Sequence, residues 1–166
     1  DYAPGYSVNS YDAYHNVNGV YTFSGWDTKA GNITSDLEIK GTWKFEKTEV
    51  AQHNVKYSWS GLPAKTEFYN AAGESANPVL PMGHTGLVNG EPYSIDTTMP
   101  KTVVYTHDAY GNPNAKYTFE NWHDPNNGVM GNSDVTVEGA WTVETVEVPT
   151  HKITYSWSGT VPSTVV

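Results

Sequence analysis

Residues 53–61 read HNVKYSWSG, and residues 151–159 read HKITYSWSG, 98 positions later with six of nine residues identical. A stretch that returns at this distance points to an array of similar units, not to one irregular domain. The alternation within it selects the element. Val55, Tyr57 and Trp59 fall on one face of an extended chain, Lys56 and Ser58 on the other. Ile153, Tyr155 and Trp157 keep the same parity. The stretch predicts a half-buried β-strand that opens a unit.

A second correspondence follows at an offset of 96, between DAYHNVNGVYTFSGW (12–26) and DAYGNPNAKYTFENW (108–122). Asn18-Gly19, beside the β-forming run 20–23, is a short-range hairpin signal. The connections after each tryptophan, 27–36 and 123–134, differ by two residues, which moves the offset back to 98. Insertions collect in surface loops, so an exposed connection is expected. LEIKGTW (37–43) and VTVEGAW (135–141) then match, and the parity of Leu37 and Ile39, and of Val135 and Val137, predicts a half-buried strand. Residues 44–52 and 142–150 read as a last strand running into a linker, with Pro149 blocking any helix. Residues 62–97 have almost no counterpart and read as loops with one short helix near 66–72; 101–106 reads as a strand.

The resulting frame places the C-terminal part of one unit at 1–52, a complete unit at 53–149 and the first strand of the next at 150–166. A permuted frame, 1–98 and 99–166, fits equally well. In the first frame both ends cut across a unit, so residues 151–166 are expected to complete an open edge, within the chain or from a neighbour.

Composition narrows the fold class. Charged residues are 16% and mean hydropathy is −0.54, with Tyr, Asn, Ser, Thr and Gly abundant, which suits a polar-surfaced β protein better than a helical bundle. Aromatics at 13% supply core material and argue against disorder. The expected fold is mainly β (a β-rich α+β class with little helix), elongated, each unit a small antiparallel β-domain.

Net charge is −9 and all nine basic residues are lysine. Without the planar guanidinium fork, and with a field that repels polyanions, nucleic-acid binding is disfavoured. Cysteine is absent, which excludes disulfides, Cys–His catalysis and Cys-based zinc sites. No apolar run approaches the ~18 residues that cross a bilayer, so membrane insertion is not expected.

All six tryptophans fall into pairs: Trp26 with Trp122, Trp43 with Trp141, Trp59 with Trp157. Recurring on apolar parity, they and Tyr57 and Tyr155 are expected to form the structural core of each unit. Tyr11, Tyr69 and Tyr93 are less patterned and are the better candidates for a sugar-stacking platform. The histidines (His15, His53, His84, His107, His123, His151) form no metal-binding spacing, and no nucleophile elbow or phosphate loop is present, so no catalysis is expected. Two minority chemistries stand beside this. Asp124, Asn126, Asn127, Asn132 and Asp134, with counterparts Asp27, Asn32 and Asp36, make an oxygen-rich loop of the kind that holds calcium. A Lys–Asn isopeptide bond would need a buried lysine, and neither Lys40 nor Lys56 recurs between the copies.

The motifs YTFSGWDT, GTW and HKITYSWSG resemble those of SHIRT domains, the tandem repeats of streptococcal surface proteins. More distantly, YTFSGW followed by GTW resembles the β-grasp-like B-repeats of listerial internalins and related Gram-positive proteins. The two copies here are less alike than the near-identical copies of SHIRT arrays. The resemblance implies a secreted, cell-wall-attached protein whose repeats form a stalk that projects an adhesive domain from the cell, with neighbouring repeats as partners. The alternative is a module that itself binds a host glycan or protein.

Overall fold

The computed structural model describes residues 3–28, 31–95 and 102–159. Eight strands make two sheets, and the described residues contain no helix. The first sheet is a meander of β1 (Ser7–Tyr11), β2 (Val17–Trp26) and β3 (Gly41–Lys47), in the order β1-β2-β3. The second contains β4 (Gln52–Ser60), β5 (His84–Val88), β6 (Val103–His107), β7 (Pro113–His123) and β8 (Val135–Thr145), in the order β5-β4-β8-β7-β6.

The two meanders share one register. Ser7 pairs with Thr22 and Val103 with Thr118; Phe23 pairs with Trp43 and Phe119 with Trp141; Trp26 pairs with Gly41 and Trp122 with Gly139. Both carry a bulge at the same place, between Phe23 and Gly25 and between Phe119 and Asn121. The first hairpin turn is built the same way in each. Asp12 Oδ1 accepts from the amides of Tyr14 (2.8 Å) and Asn16 (2.9 Å); Asp108 Oδ1 accepts from those of Tyr110 (2.8 Å) and Asn112 (2.9 Å). The Asp-Ala-Tyr-x-Asn motif is thus an aspartate-capped turn. Asn18-Gly19, expected to mark the hairpin, instead lies inside β2, where Gly19 pairs with Ser10 and Lys47.

Beyond the meander the sheets differ. β4 lies parallel to β8, from Val55↔Val135 to Ser60↔Ala140, and β5 pairs antiparallel on its far side. The five-stranded sheet is therefore mixed, not antiparallel as expected: β4 and β8 run in the same direction. The helix expected near 66–72 is also absent. Tyr69 exchanges backbone hydrogen bonds with Tyr105 of β6 (2.9 and 2.8 Å), and the Asn70 side chain caps the turn at Ala72 and Glu74, so no helical ladder can form there. The strand expected at 101–106 is β6; residue 101 lies outside the described residues.

The core of the second sheet forms two clusters. Val55, Tyr93, Met130, Val135 and Val137 make one; Phe68, Val104, Tyr117, Phe119 and Trp141 make the other. The period-two burial of β8 shows Val135 and Val137 inward as the parity requires. Met130 corrects the picture of 123–134 as an exposed connection, because it turns inward and is fully buried. In the first sheet only Phe23 is a buried hydrophobic side chain, and residues 37–40 are exposed and outside any strand, where a half-buried strand was expected.

The sheets touch through the first aspartate-capped turn. Asn16 Nδ2 donates to the Asn89 carbonyl (2.9 Å), and the Tyr14 backbone and Cβ lie against Gly90. Residues 151–159 are exposed and belong to no strand. This overturns their expected pairing within the chain; the expectation for 160–166 lies outside the described residues.

Candidate functional site

The face of β8 that carries Val135, Val137, Gly139 and Trp141 is where the sequence motifs converge. Gly139 has no side chain for a spatial reason: a Cβ there would stand 2.5 Å from the Trp59 ring and 2.6 Å from the Trp122 ring. The indoles of Trp59 and Trp122 stack over it, centroids 5.0 Å apart and 24° between planes. Trp59 meets Trp141 edge-on at 5.7 Å, and Tyr57 meets Trp122 edge-on at 5.1 Å. Each such contact adds about 0.5–1.5 kcal/mol beyond the area it buries. Trp141 is 6% exposed, Tyr57, Trp59 and Trp122 half-buried. The indole N–H groups of Trp122 and Trp141 are buried without an acceptor, a polar cost carried by this packing.

The first meander reproduces half of this arrangement. Phe23 lies 5.1 Å from Trp26 and 5.3 Å from Trp43; Phe119 lies 5.3 Å from both Trp122 and Trp141. Gly41 stands where Gly139 does, and a Cβ on it would meet the Phe23 and Trp26 rings at 2.7 and 3.0 Å. Across the sheet, Asp27 N–H donates to the Lys40 carbonyl and its carboxylate accepts from the Lys40 amide, both at 3.0 Å, so the ladder runs one pair past Trp26↔Gly41. What differs is the cover. Among the described residues, the strand that brings Tyr57 and Trp59 over β8 has no counterpart against 37–42, and Trp26 and Trp43 stay 40% and 37% exposed.

The sequence-predicted core residues therefore divide. Tyr57, Trp59, Trp122 and Trp141 come together; Trp26 and Trp43 flank Phe23 and stay partly exposed. Tyr155 and Trp157, expected in a core, are 90% and 89% exposed, because among the described residues no strand pairs with 151–159. Gly61, just after β4, takes a positive φ of 86°, and a Cβ there would run into the Trp141 carbonyl. Gly159 already has a φ of 94°, over open space.

The carboxylates of the oxygen-rich loop are engaged by protein donors. Asp124 Oδ1 accepts from the Tyr93 hydroxyl (2.7 Å) and the Asn126 amide (2.9 Å), and Oδ2 accepts from the Gly128 amide (2.7 Å). Burial works against this carboxylate, yet these donors hold its pKa below the ordinary value. Asp134 accepts from the Lys56 ammonium (2.7 Å) and the Asn54 amide (2.8 Å), which lowers its pKa as well. Both carboxylates are committed to donors, and no three His, Cys, Asp or Glu converge among the described residues. Lys56 is an exposed ion-pair partner, not the buried lysine an isopeptide bond requires.

Of the expected surface aromatics, Tyr11 is exposed, Tyr69 stacks flat on His107 at 4.4 Å, and Tyr93 is buried, its phenol pKa raised by desolvation and by Asp124. Sequence reading missed Tyr93 and Met130 as core residues because they sit in Pro- and Gly-rich text without periodicity. It also missed that 37–40 lies exposed outside any strand among the described residues, since pairing leaves no mark in the local parity. No family model, curated protein or solved structure matches the chain. Among the described residues no helix is long and apolar enough to cross a membrane.

Proposed function

We propose that the chain is a non-catalytic segment of a tandem-repeat stalk on a bacterial cell-surface adhesin, attached to the cell wall and holding a binding domain away from it. The observation that carries this reading is the common register, bulge and capped turn of the two meanders, each followed at the same interval by an HxVxYSWSG or HxIxYSWSG stretch. A mixed sheet whose opening and closing strands lie parallel side by side is also the central feature of β-grasp folds, which favours a SHIRT-like or B-repeat-like unit.

The β4·β8 pairing supports the frame in which 53–149 is the complete unit, because the frame 1–98 and 99–166 would divide that pairing between units. In a stalk the working properties are length per unit, a defined joint and solubility. The Asn16–Asn89 contact supplies the joint, and the net charge of −9 keeps neighbouring stalks apart.

Small-angle scattering on dilute protein tests this. A maximum dimension fitting two units end to end is expected; one compact globule of 166 residues would overturn it. The alternative, a glycan- or host-protein-binding module, draws its support from the open rings of Tyr155 and Trp157. Strong glycan-array binding that Trp157→Ala abolishes would favour that reading over a pure spacer.

A further inference from the structure

We propose that the five-stranded unit carries a saccharide-binding site where the 66–73 loop meets the end of β6, and that its ligand is a neutral sugar. Two adjoining hollows, of about 400 and 540 Å³, share His107, Gly73 and Gly111, a size within the range of small-molecule sites. Tyr105, Pro113, Val146 and Ala72 line the smaller hollow; Thr66, Glu67, Tyr69 and Asp108 line the larger. One therefore offers rings and apolar groups, the other hydroxyls and carboxylates. A pyranose needs that combination, because its faces present C–H bonds and its edge presents hydroxyls.

The walls are fixed in advance of any ligand. Tyr69 stacks flat on His107, centroids 4.4 Å apart and 9° between planes, and its backbone is tied to Tyr105 by two hydrogen bonds. The negative face of such rings attracts polarised C–H bonds. Asn70 Oδ1 accepts from the amides of Ala72 (2.9 Å) and Glu74 (3.0 Å), which holds the loop in shape. Between the hollows lies bare backbone: Gly73 and Gly111 take φ of 82° and 84°, and a Cβ on either would meet nothing within 4 Å. A site built this way has little ordering left to do on binding. Charge then selects the ligand. Glu67 Oε2 accepts from the Tyr69 hydroxyl at 3.0 Å, which leaves Oε1 to accept from a sugar hydroxyl. Asp108 adds a second carboxylate, and among the described residues no lysine lines either hollow, so a sugar bearing a carboxylate or sulfate is repelled. A joint like the Asn16–Asn89 contact would not close this place. Tyr11 and His15, which match His107 and Gly111, stay exposed beside that contact.

The inference goes beyond the stalk reading, does not rest on it, and uses neither Tyr155 nor Trp157. Amide ¹H–¹⁵N spectra of the 166-residue chain, titrated with lactose, maltose and cellobiose, test it. At least one of these neutral sugars should shift the amides of Tyr69, Asn70, Gly73 and Gly111 saturably, with a millimolar Kd. The anionic 3′-sialyllactose should bind at least about threefold more weakly than the best of them. His107→Ala removes half of the stacked plate, and Ala72→Trp fills the smaller hollow from an exposed loop position. Each should weaken binding by about tenfold, with the rest of the spectrum unchanged. Should His107→Ala disturb the fold, Ala72→Trp decides alone. Absence of a saturable shift with all three neutral sugars would overturn the proposal. So would shifts confined to other amides, tighter binding of 3′-sialyllactose, or binding that survives Ala72→Trp.

Discussion

The three-stranded and five-stranded sheets put the same meander in two surroundings. In both, a phenylalanine sits between two tryptophans and a glycine floors the packing. In one, a parallel strand brings Tyr57 and Trp59 over it and Trp141 falls to 6% exposure; in the other, Trp43 stays at 37%. The meander therefore specifies its own pairing and bulge, whereas burial of its aromatic face depends on a strand from elsewhere in sequence. Edge pairing is the step at which such a unit is completed, and it is also where an incomplete unit is reactive.

The largest effect that would sharpen this comparison comes from the covering strand. Trp59→Ala is expected to destabilise the five-stranded unit by about 3 kcal/mol, near the lower end for a tryptophan deletion because the ring is only half-buried. Trp157→Ala should change the monomer's stability by less than about 0.5 kcal/mol, the ordinary range for an exposed side chain. Denaturant titration followed by tryptophan fluorescence measures both. Equal losses would break the comparison.

Next comes the strand beneath. Val137→Ala removes fully buried methyl groups and should cost about 1–2 kcal/mol, counting transfer and the cavity left behind. Ile39→Ala, at the matching position, should stay within about 0.5 kcal/mol in the monomer. A comparable cost at both positions would mean that 37–42 is already covered.

A smaller difference is expected from the hairpin turns. His15 holds a left-handed φ of 65° where the other meander has Gly111 at 84°. His15→Gly should stabilise the first sheet by about 0.5–1 kcal/mol, and Gly111→Ala should destabilise the second by a similar amount. Thermal melts of the two variants read this directly.

The capped turns also set an acid limit. The Asn112 side chain and the Asn112 and Tyr110 amides hold the Asp108 carboxyl below its ordinary value. A group whose pKa is lower folded than unfolded contributes stability above its unfolded pKa and loses it as pH falls through the folded one. Stability should therefore drop as pH falls below the ordinary carboxylate value of about 4. Asp108→Asn should flatten its own share of that drop, and a pH series of melts for parent and variant checks it.

Much of this architecture was legible in the sequence, because period-two parity is local. It placed Val55, Tyr57 and Trp59 inward and gave Val135 and Val137 the right face. Pairing partners are not local, which is why the parallel β4·β8 contact was not foreseen and 37–40 was read as a half-buried strand: Leu37 and Ile39 have the parity but, among the described residues, no covering strand. Turn chemistry misled twice. Asn18-Gly19 outranked Asp12 as a turn signal, although the aspartate makes the turn. Residues 66–72 were given a helix that the backbone pairing of Tyr69 with Tyr105 forbids. The loop aspartates looked like metal ligands because Asp124 and Asp134 have the composition of a cation site. Their oxygens are taken by Tyr93, Gly128, Asn54 and Lys56.

The central claim is that the two meanders are one module that differs only in cover, and hydrogen exchange of the dilute chain tests it most directly. The account predicts strong amide protection at 135–140, where β4 pairs, and rapid exchange at 37–42. Equal protection of the two segments in the dilute monomer would contradict it.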